Sequence, residues 1–144
     1  IADAVLRGAR LSTGGTAPEG ERFEKGNFFL PTILADCSHS MLVMQEETFG
    51  PVVGVMPFNS LDEAIALAND TNYGLAAIAY TESLSEAHRL YTELRAGNVA
   101  VNNVDAGVIN APYGGWYDSG FGHEHGPEGL YEYLHVKHVR IKSE

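Results

Sequence analysis

Residues 45–51 have the clearest potential for binding chemistry, because they place two adjacent acids beside an aromatic ring and a Gly-Pro turn. An ionised carboxylate at Glu46 or Glu47 accepts hydrogen bonds from ligand hydroxyls, and Phe49 offers a flat apolar face to a ring. The alternative is a solvated acidic turn with Phe49 in the core. The residue types alone favour this second interpretation.

A second candidate region is residues 112–126, in which aromatic residues are interspersed with glycines. Glycine lets the backbone turn sharply or approach a ligand closely. Gly120 and Gly122 do not indicate a phosphate-binding loop, because the next glycine is Gly126 and no predicted strand leads into the segment.

The same region contains histidines that could ligate a metal ion. His123, Glu124 and His125 are neighbours in sequence, and His135 and His138 follow. A His-x-His pair binds one ion only where the chain is extended, since alternate side chains then share a face. No second pair of ligands stands at a familiar spacing. Solvated histidines are therefore the favoured interpretation, and no metal is predicted.

Cys37 is the single cysteine of the sequence, so no intrachain disulfide is possible. A nucleophilic thiolate needs a basic or helix-terminal environment. His39 is near, but Asp36 is adjacent and nothing basic stands close in sequence, which favours a small structural residue. A lone cysteine also suits a reducing compartment, and we expect a cytoplasmic protein.

The composition of the 144 residues is that of an ordinary globular domain, with 44% hydrophobic and 19% charged residues. The formal net charge of −10 argues against a nucleic-acid partner and against an anionic membrane surface. No apolar run approaches the roughly 20 residues that span a bilayer. The chain opens at Ile1 without an initiator Met, from which we expect a piece of a longer protein.

The central part of the chain alternates between short β-branched runs and amphipathic helices, which predicts an α/β fold. Each helix opens with a capping box, Ser60 with Glu63 and Ser83 with Glu86. Short right-handed connections then predict one βαβαβ unit, with a mainly parallel sheet covered by helices. The predicted strands are residues 52–58, 75–80 and 98–103.

The flanking segments are less regular. A helix end with Gly8 as its cap and a hairpin-like excursion precede the central unit, and a long glycine-rich loop, a short helix and an edge strand follow it. The exposed edge of the terminal strand would invite pairing with another chain. In order, these segments are residues 1–7, strands 9–12 and 28–34, the loop 104–126, the helix from Gly126, and the strand 135–142.

Four motifs in the same order resemble signatures of the NAD(P)-dependent aldehyde dehydrogenase superfamily. The similarity is collinear over essentially the whole chain. The motifs are E-E-T-F-G-P-V at 46–52, N-D-T-N-Y-G-L-A-A at 69–77, G-N-V-A-V-N at 97–102, and the stretch from Pro112 to Gly126, which is similar to P-x-G-G-x-x-x-S-G-x-G-R-E-x-G.

The resemblance implies roles for individual residues. Glu47 would hold the nicotinamide ribose hydroxyls of NAD or NADP, and Phe49 would face the nicotinamide. Residues 1–134 would be the C-terminal part of a catalytic domain, and residues 135–144 the strand through which family members form homo-oligomers. The entrance for the aldehyde substrate would be lined by Val104, Asp105, Gly107, Ile109 and Tyr113.

The resemblance also implies which catalytic groups lie elsewhere. The nucleophilic cysteine, the general-base glutamate and the nucleotide-binding domain of the family are all upstream of the matched part, and Cys37 is not at the nucleophile's motif. We therefore expect the isolated chain to be inactive and its partner to be the upstream part of the same enzyme. Two alternatives stay open, a non-catalytic assembly or regulatory module that pairs with a full-length relative, and a small acidic ligand-binding domain.

The sequence departs from the family pattern at two places. Tyr117 and Asp118 stand where a lysine is common, and His123 replaces the usual arginine before Glu124. Arginine is a permanently charged, forked hydrogen-bond donor and histidine is not. We therefore expect the support of the glycine-rich loop to differ here.

Overall fold

The computed structural model describes residues 1–104 and 107–143, and internal contacts divide the chain into the units Ile1–Glu63 and Ala64–Glu144. A 3₁₀ turn lies at Glu21–Phe23. The helices are α1 (Ala2–Leu6), α2 (Leu42–Gln45), α3 (Leu61–Asn69), α4 (Leu84–Glu93) and α5 (Gly126–Tyr131). The strands are β1 (Arg10–Thr13), β2 (Thr32–Ala35), β3 (Val52–Gly54), β4 (Tyr73–Gly74), β5 (Ala76–Ala79), β6 (Asn98–Val101) and β7 (Trp116–Tyr117).

The first unit is a three-stranded sheet with β2 in the middle. β1 is antiparallel to β2, and β3 is parallel to β2. Parallel neighbours need a crossover connection, and α2 lies in the one between β2 and β3. The burial of small and sulfur-containing side chains holds α1 and α2 against this sheet. The buried cluster consists of Ala4, Ala9, Leu34, Cys37 and Met41.

The second unit contains the parallel pair β5–β6, which α4 connects, and the antiparallel pair β4–β7. Helix α4 begins where Ser83 Oγ accepts a hydrogen bond from the backbone N–H of Glu86 at 3.3 Å. Leu90 is the buried residue of this helix, Leu84 and Tyr91 are exposed, and an ion pair joins Arg89 to Glu93. The buried apolar residues of this unit are Ile65, Leu90, Leu94, Ala96 and Ala100.

The α/β class, the helices α3 and α4 and the hairpin-like pairing of β1 with β2 are confirmed. The capping box of α3 is formed in a shifted version. Ser60 Oγ accepts from the N–H of Glu63, but the Glu63 carboxylate reaches back to the N–H of Asn59 at 2.7 Å. In the predicted capping box, the Glu63 carboxylate would accept from the N–H of Ser60. In the structure it accepts from the N–H of Asn59, one residue earlier.

The parallel strand pairing that was predicted with the α/β fold is present in each unit. In the first unit β3 pairs with β2, and in the second unit β5 pairs with β6. The N–H of Val55 donates to Leu34 and its carbonyl accepts from Cys37, so the pairing with β2 continues beyond the end of β3. That β2 is the parallel partner of β3 was not predicted from the sequence.

The structure also corrects the predictions for the last third of the chain. The loop 104–126 contains β7, so it is not devoid of regular structure. Residues 135–142 were predicted to be an edge strand, but no strand is formed there. A strand requires a neighbour for its backbone groups, and none pairs with this tail within the described part of the chain.

Across the two described ranges, none of the helices has both the length and the apolar character that crossing a membrane requires.

Candidate functional site

Glu47 and Phe49 lie in an exposed segment of the first unit, between α2 and β3. The Phe49 side chain is 94% exposed, so the interpretation that placed it in the core is wrong. Glu47 is also exposed, and its carboxylate makes no hydrogen bond or ion pair within the residues that the structure describes. The Glu47 carboxylate and the Phe49 ring, two residues apart in sequence, are therefore both accessible to a ligand.

Backbone hydrogen bonds fix this segment at both ends. On the helix side, the N–H of Glu46 donates to Leu42 at 2.8 Å. On the strand side, the carbonyl of Pro51 accepts from the N–H of Thr32 at 2.8 Å, and this bond ties the segment to β2. The backbone on either side of Glu47 and Phe49 is thus anchored to α2 and to β2.

The predicted entrance residues of the second unit fall into two groups. Val104 and Ile109 are 73% and 80% exposed. Gly107 and Tyr113 instead approach the ring of His125, since a Cβ added at Gly107 would be 3.7 Å from His125 Cε1 and 3.8 Å from Tyr113 Cδ2. Asp105, the remaining predicted residue, lies outside the described residues.

The glycine-rich loop is closed by backbone pairs. Tyr113 and Glu124 exchange two N–H···O bonds, each of 2.8 Å. The N–H of Gly126 donates to Ile109 at 3.0 Å. These bonds hold Tyr113 and Ile109 close to the start of α5. They join backbone groups, so they do not depend on the residue types at these positions.

Side chains from the neighbouring strands hold the other part of the loop. Asn98 is buried, and its amide donates to the carbonyls of Leu75 and Gly114 at 2.8 and 3.1 Å. Ser119 Oγ accepts from the N–H of Gly74 at 2.9 Å. The sequence interpretation gave Asn98 no role, although a polar side chain inside an apolar strand was a signal, because buried amides require partners.

Gly97 and Gly114 are in direct contact at the start of β6. A Cβ on Gly97 would overlap the carbonyl oxygen of Gly114, which is backbone and cannot move aside. Glycine is therefore required at position 97 for close approach of the loop to the strand. Tyr117 in the same loop has a φ of +55°, a left-handed value that is uncommon for a residue with a side chain.

A groove of about 450 Å³ runs along this loop. It combines an apolar floor with carboxylates and an imidazole, so that it presents both apolar and hydrogen-bonding groups to a small molecule. Its lining residues are Leu75, Tyr113, Gly114, Gly115, Ser119, Gly120, Phe121, Gly122, His123, Glu124 and Glu132.

Comparison with known proteins identifies the family. The model of the aldehyde dehydrogenase family matches residues 1–139. The chain belongs to the aldehyde dehydrogenase family. The resemblance of the four motifs is thereby confirmed at the level of the family.

Individual members of the family agree over nearly the whole chain. The betaine aldehyde dehydrogenase of Bacillus subtilis is 46% identical over 135 residues, which are 94% of this chain and 28% of that protein. The 3,6-anhydro-alpha-L-galactose dehydrogenase of Streptomyces coelicolor is 40% identical over 139 residues, again 28% of its length. The chain thus spans little more than a quarter of these relatives.

Solved aldehyde dehydrogenase structures have the same fold in this region. The betaine aldehyde dehydrogenase of Staphylococcus aureus in complex with NAD⁺ superposes with a TM-score of 0.87 at 42% identity, covering 96% of this chain and 27% of that one. A 3,6-anhydro-L-galactose dehydrogenase in complex with NAP gives 0.86 at 41% identity, covering 93% and 28%. The family's cofactor thus accompanies the fold in these neighbours.

The remaining candidates from the sequence are Cys37 and the histidines of the glycine-rich loop. Cys37 is 4% exposed and its Sγ lies 3.4 Å from the carbonyl of Leu34, which supports a core position. His125 Nδ1 is buried and lacks a hydrogen-bond partner among the described atoms, whereas His123 is exposed. No three His, Cys, Asp or Glu side chains within residues 1–104 and 107–143 are placed to hold a metal ion.

Two carboxyl groups of the first unit have shifted titration. The Leu42 N–H that donates to the Asp3 carboxylate holds the pKa of Asp3 below its ordinary value, and the Arg7 guanidinium adds to this effect. The Asn59 N–H likewise lowers the pKa of Glu63. Both groups are therefore ionised and engaged at neutral pH.

Proposed function

We propose that this chain contributes part of the active site of an NAD(P)⁺-dependent aldehyde dehydrogenase, which oxidises an aldehyde to a carboxylic acid. The observation that carries the proposal is the exposure of Glu47 and Phe49 on a segment fixed at both ends. Leaving a phenylalanine side chain in water forgoes about 2 kcal/mol of burial. Such a residue in an anchored segment is well suited to cover a ligand.

In this proposal, Glu47 accepts hydrogen bonds from the hydroxyls of the nicotinamide ribose. An ionised carboxylate is acceptor-only and has two oxygens, so it can take both hydroxyls of one ribose. Phe49 packs against the nicotinamide ring, and the bound cofactor supplies the acceptor for hydride. The neighbours that were solved with NAD⁺ and NAP support this assignment.

We further propose that the glycine-rich loop forms one wall of the aldehyde entrance, with Val104, Asp105, Gly107, Ile109 and Tyr113 along it. The exposed apolar side chains of Val104 and Ile109 suit a path for an organic substrate. Tyr113 lines the groove, and its backbone is paired with Glu124.

The covalent step of aldehyde oxidation needs a thiolate nucleophile, and we propose that this chain does not supply it. Cys37 is the single cysteine of the sequence, and it is buried in the core of the first unit. The 144 residues alone are then inactive, and the upstream part of the enzyme, in the same cytoplasmic compartment, provides the thiol.

We also propose that residues 135–144 form a strand only when they pair with a second copy of the enzyme. Three apolar side chains of the tail, Val136, Val139 and Ile141, are 66% to 101% exposed. Their burial would favour association, and the unpaired backbone groups of the tail would gain strand partners.

The proposed function is tested in a chimera in which these 144 residues replace the matched segment of the Bacillus subtilis betaine aldehyde dehydrogenase. We expect the chimera to oxidise betaine aldehyde with NAD⁺. The variant Glu47→Gln keeps the shape but loses the charge, so we expect the KM for NAD⁺ to rise about tenfold, since a hydrogen bond to a charged group is worth roughly 1.5–3 kcal/mol. Glu46→Gln is the matched control, and equal effects at both positions would contradict the assignment.

A further inference from the structure

Asp3, at the start of α1, forms a hydrogen bond to the first residue of α2. Its Oδ2 accepts a hydrogen bond of 3.0 Å from the N–H of Leu42, and its Oδ1 accepts one of 2.8 Å from Arg7 Nε. Arg7 in turn donates from Nη1 to the carbonyl of Ser40 at 3.2 Å. One carboxylate and one guanidinium thus join two helices that are 39 positions apart in sequence.

Helix α2 depends on this contact from outside. The N-cap residue of α2, Met41, makes no side-chain cap hydrogen bond. The first N–H groups of a helix have no partner within it, and a helix of four residues is far too short to be stable by itself. The Asp3 carboxylate supplies the missing acceptor, and its negative charge also suits the positive end of the helix.

The position of α2 determines where Glu47 begins. The N–H groups of Met44 and Glu46 donate to Met41 and Leu42, so the last turn of α2 runs directly into the acidic pair. Met44 also packs closely against β3, where a Cβ added at Gly54 would come within 2.7 Å of its Sδ. The helix is therefore held by β3 on one side and by Asp3 at its start.

We propose that Asp3 is a positioning residue for Glu47, acting through α2, and that it thereby sets the affinity for the nicotinamide cofactor without touching it. This inference rests on the proposed function of Glu47. When Asp3 is lost, the start of α2 loosens, the segment 46–50 samples more conformations, and the carboxylate of Glu47 reaches the ribose hydroxyls less often.

Three variants separate this role from general destabilisation. Asp3→Ala removes the cap and the ion pair. Asp3→Asn keeps an oxygen that accepts from Leu42 but loses the charge that attracts Arg7. Asp36→Asn is the matched control, because Asp36 forms an Arg10 ion pair at the surface of the same unit without contacting α2.

The first measurement is amide hydrogen exchange of the 144-residue chain by NMR. For Asp3→Ala we expect exchange at Met44 and Glu46 to be faster by about tenfold, a local opening of α2. The N–H of Val55, which bonds to Leu34 in the sheet, should exchange at the wild-type rate. Unchanged exchange in α2, or equal acceleration at Val55, overturns the proposal.

The second measurement is steady-state kinetics of the chimera with NAD⁺ varied. We expect Asp3→Ala to raise the KM for NAD⁺ about fivefold, the effect of losing a typical helix cap, with kcat within twofold of wild type. Asp3→Asn should recover most of the loss, and Asp36→Asn should match wild type. A simple loss of folded enzyme would lower kcat and leave KM unchanged.

The outcomes distinguish this inference from the function on which it rests. A folded wild-type chimera without NAD⁺-dependent activity contradicts the proposed function and the inference with it. Suppose instead that the chimera is active and that Glu47→Gln raises the KM for NAD⁺ whereas Asp3→Ala leaves it unchanged. This outcome contradicts the inference alone.

Discussion

Phe49 and Asp3 are the single side chains on which two of our proposals depend. Phe49 is an aromatic residue that the fold leaves 94% exposed, so its contribution lies in what it can contact. Asp3 is a charged residue with both carboxylate oxygens engaged, so its contribution lies in what it holds. Residue type alone would suggest the opposite, an aromatic in the core and a carboxylate free in water.

Replacing Phe49 with alanine should separate binding from stability. Because the ring is exposed, we expect the free energy of unfolding to change by less than about 0.5 kcal/mol. In the chimera, we expect the KM for NAD⁺ to rise about fivefold, the loss of one aromatic contact. Urea denaturation and steady-state kinetics give the two quantities. Phe58→Ala, at another exposed ring, is the control, and a large loss of stability at Phe49 would show that the ring packs in the fold.

The lowered pKa of Asp3 predicts how stability depends on pH. A carboxyl group with a folded pKa below its unfolded value near 3.8 stabilises the fold above that value, and the contribution is lost as the pH falls through the folded pKa. We therefore expect Asp3→Asn to be less stable than wild type at pH 7, with the difference shrinking at pH 3. Denaturant titrations at both pH values measure this, and a constant difference would contradict the role of charge.

At the scale of elements, the sequence predicted those helices whose starts are determined by residues close by in sequence. The capping serines Ser60 and Ser83 located the starts of α3 and α4, because a hydroxyl that accepts from the backbone N–H three residues on is a local event. Helix α2 was not predicted, since its cap comes from Asp3, far away in sequence. The partner of β3 was also missed, because pairing is decided by tertiary contacts that no local pattern contains.

The candidate site was predictable to a similar extent. The motif around Glu47 was found from the sequence, but the exposure of Phe49 was not, because burial depends on what packs against a residue. The grouping of Gly107, Tyr113 and His125 was equally hidden, since the backbone bonds that close the loop are independent of residue type. The role of Asn98 in holding the loop could have been predicted, because a polar side chain in an otherwise apolar strand needs hydrogen-bond partners.

The contact between Gly97 and Gly114 gives a prediction for the link between β6 and the glycine-rich loop. A Cβ at position 97 would meet a backbone carbonyl, so we expect Gly97→Ala to destabilise the chain by about 2 kcal/mol, typical of overpacking. Thermal denaturation followed by circular dichroism measures it, as a Tm several degrees lower. Gly50→Ala is the control, since a Cβ there meets open space and should leave the Tm nearly unchanged.

At the scale of the whole molecule, the tail 135–143 is the feature that we propose to pair with a second copy. It forms no strand within the described residues, and its apolar side chains are exposed. The net charge of −10 opposes close approach of two copies, so an association through this tail has to be specific enough to outweigh the repulsion.

Substitution within the tail tests whether it pairs as a strand. We expect Val139→Pro to abolish self-association of the chimera, because proline lacks the backbone N–H that strand pairing uses. Val139→Ala keeps the donor and should retain assembly. Size-exclusion chromatography with light scattering gives the masses. Equal masses for the two variants would show that residue 139 does not take part in strand pairing.

The bond between Asp3 and Leu42 also bears on where the segment that is transferred to the chimera has to begin. A fragment that began at Ala9 would contain all four family motifs and the complete sheet of the first unit. It would lack α1, and the short helix before Glu47 would have no acceptor at its start. On our proposal, a chimera that carried this shorter segment would contain the family motifs and yet bind NAD⁺ weakly, so the transferred segment should include Asp3.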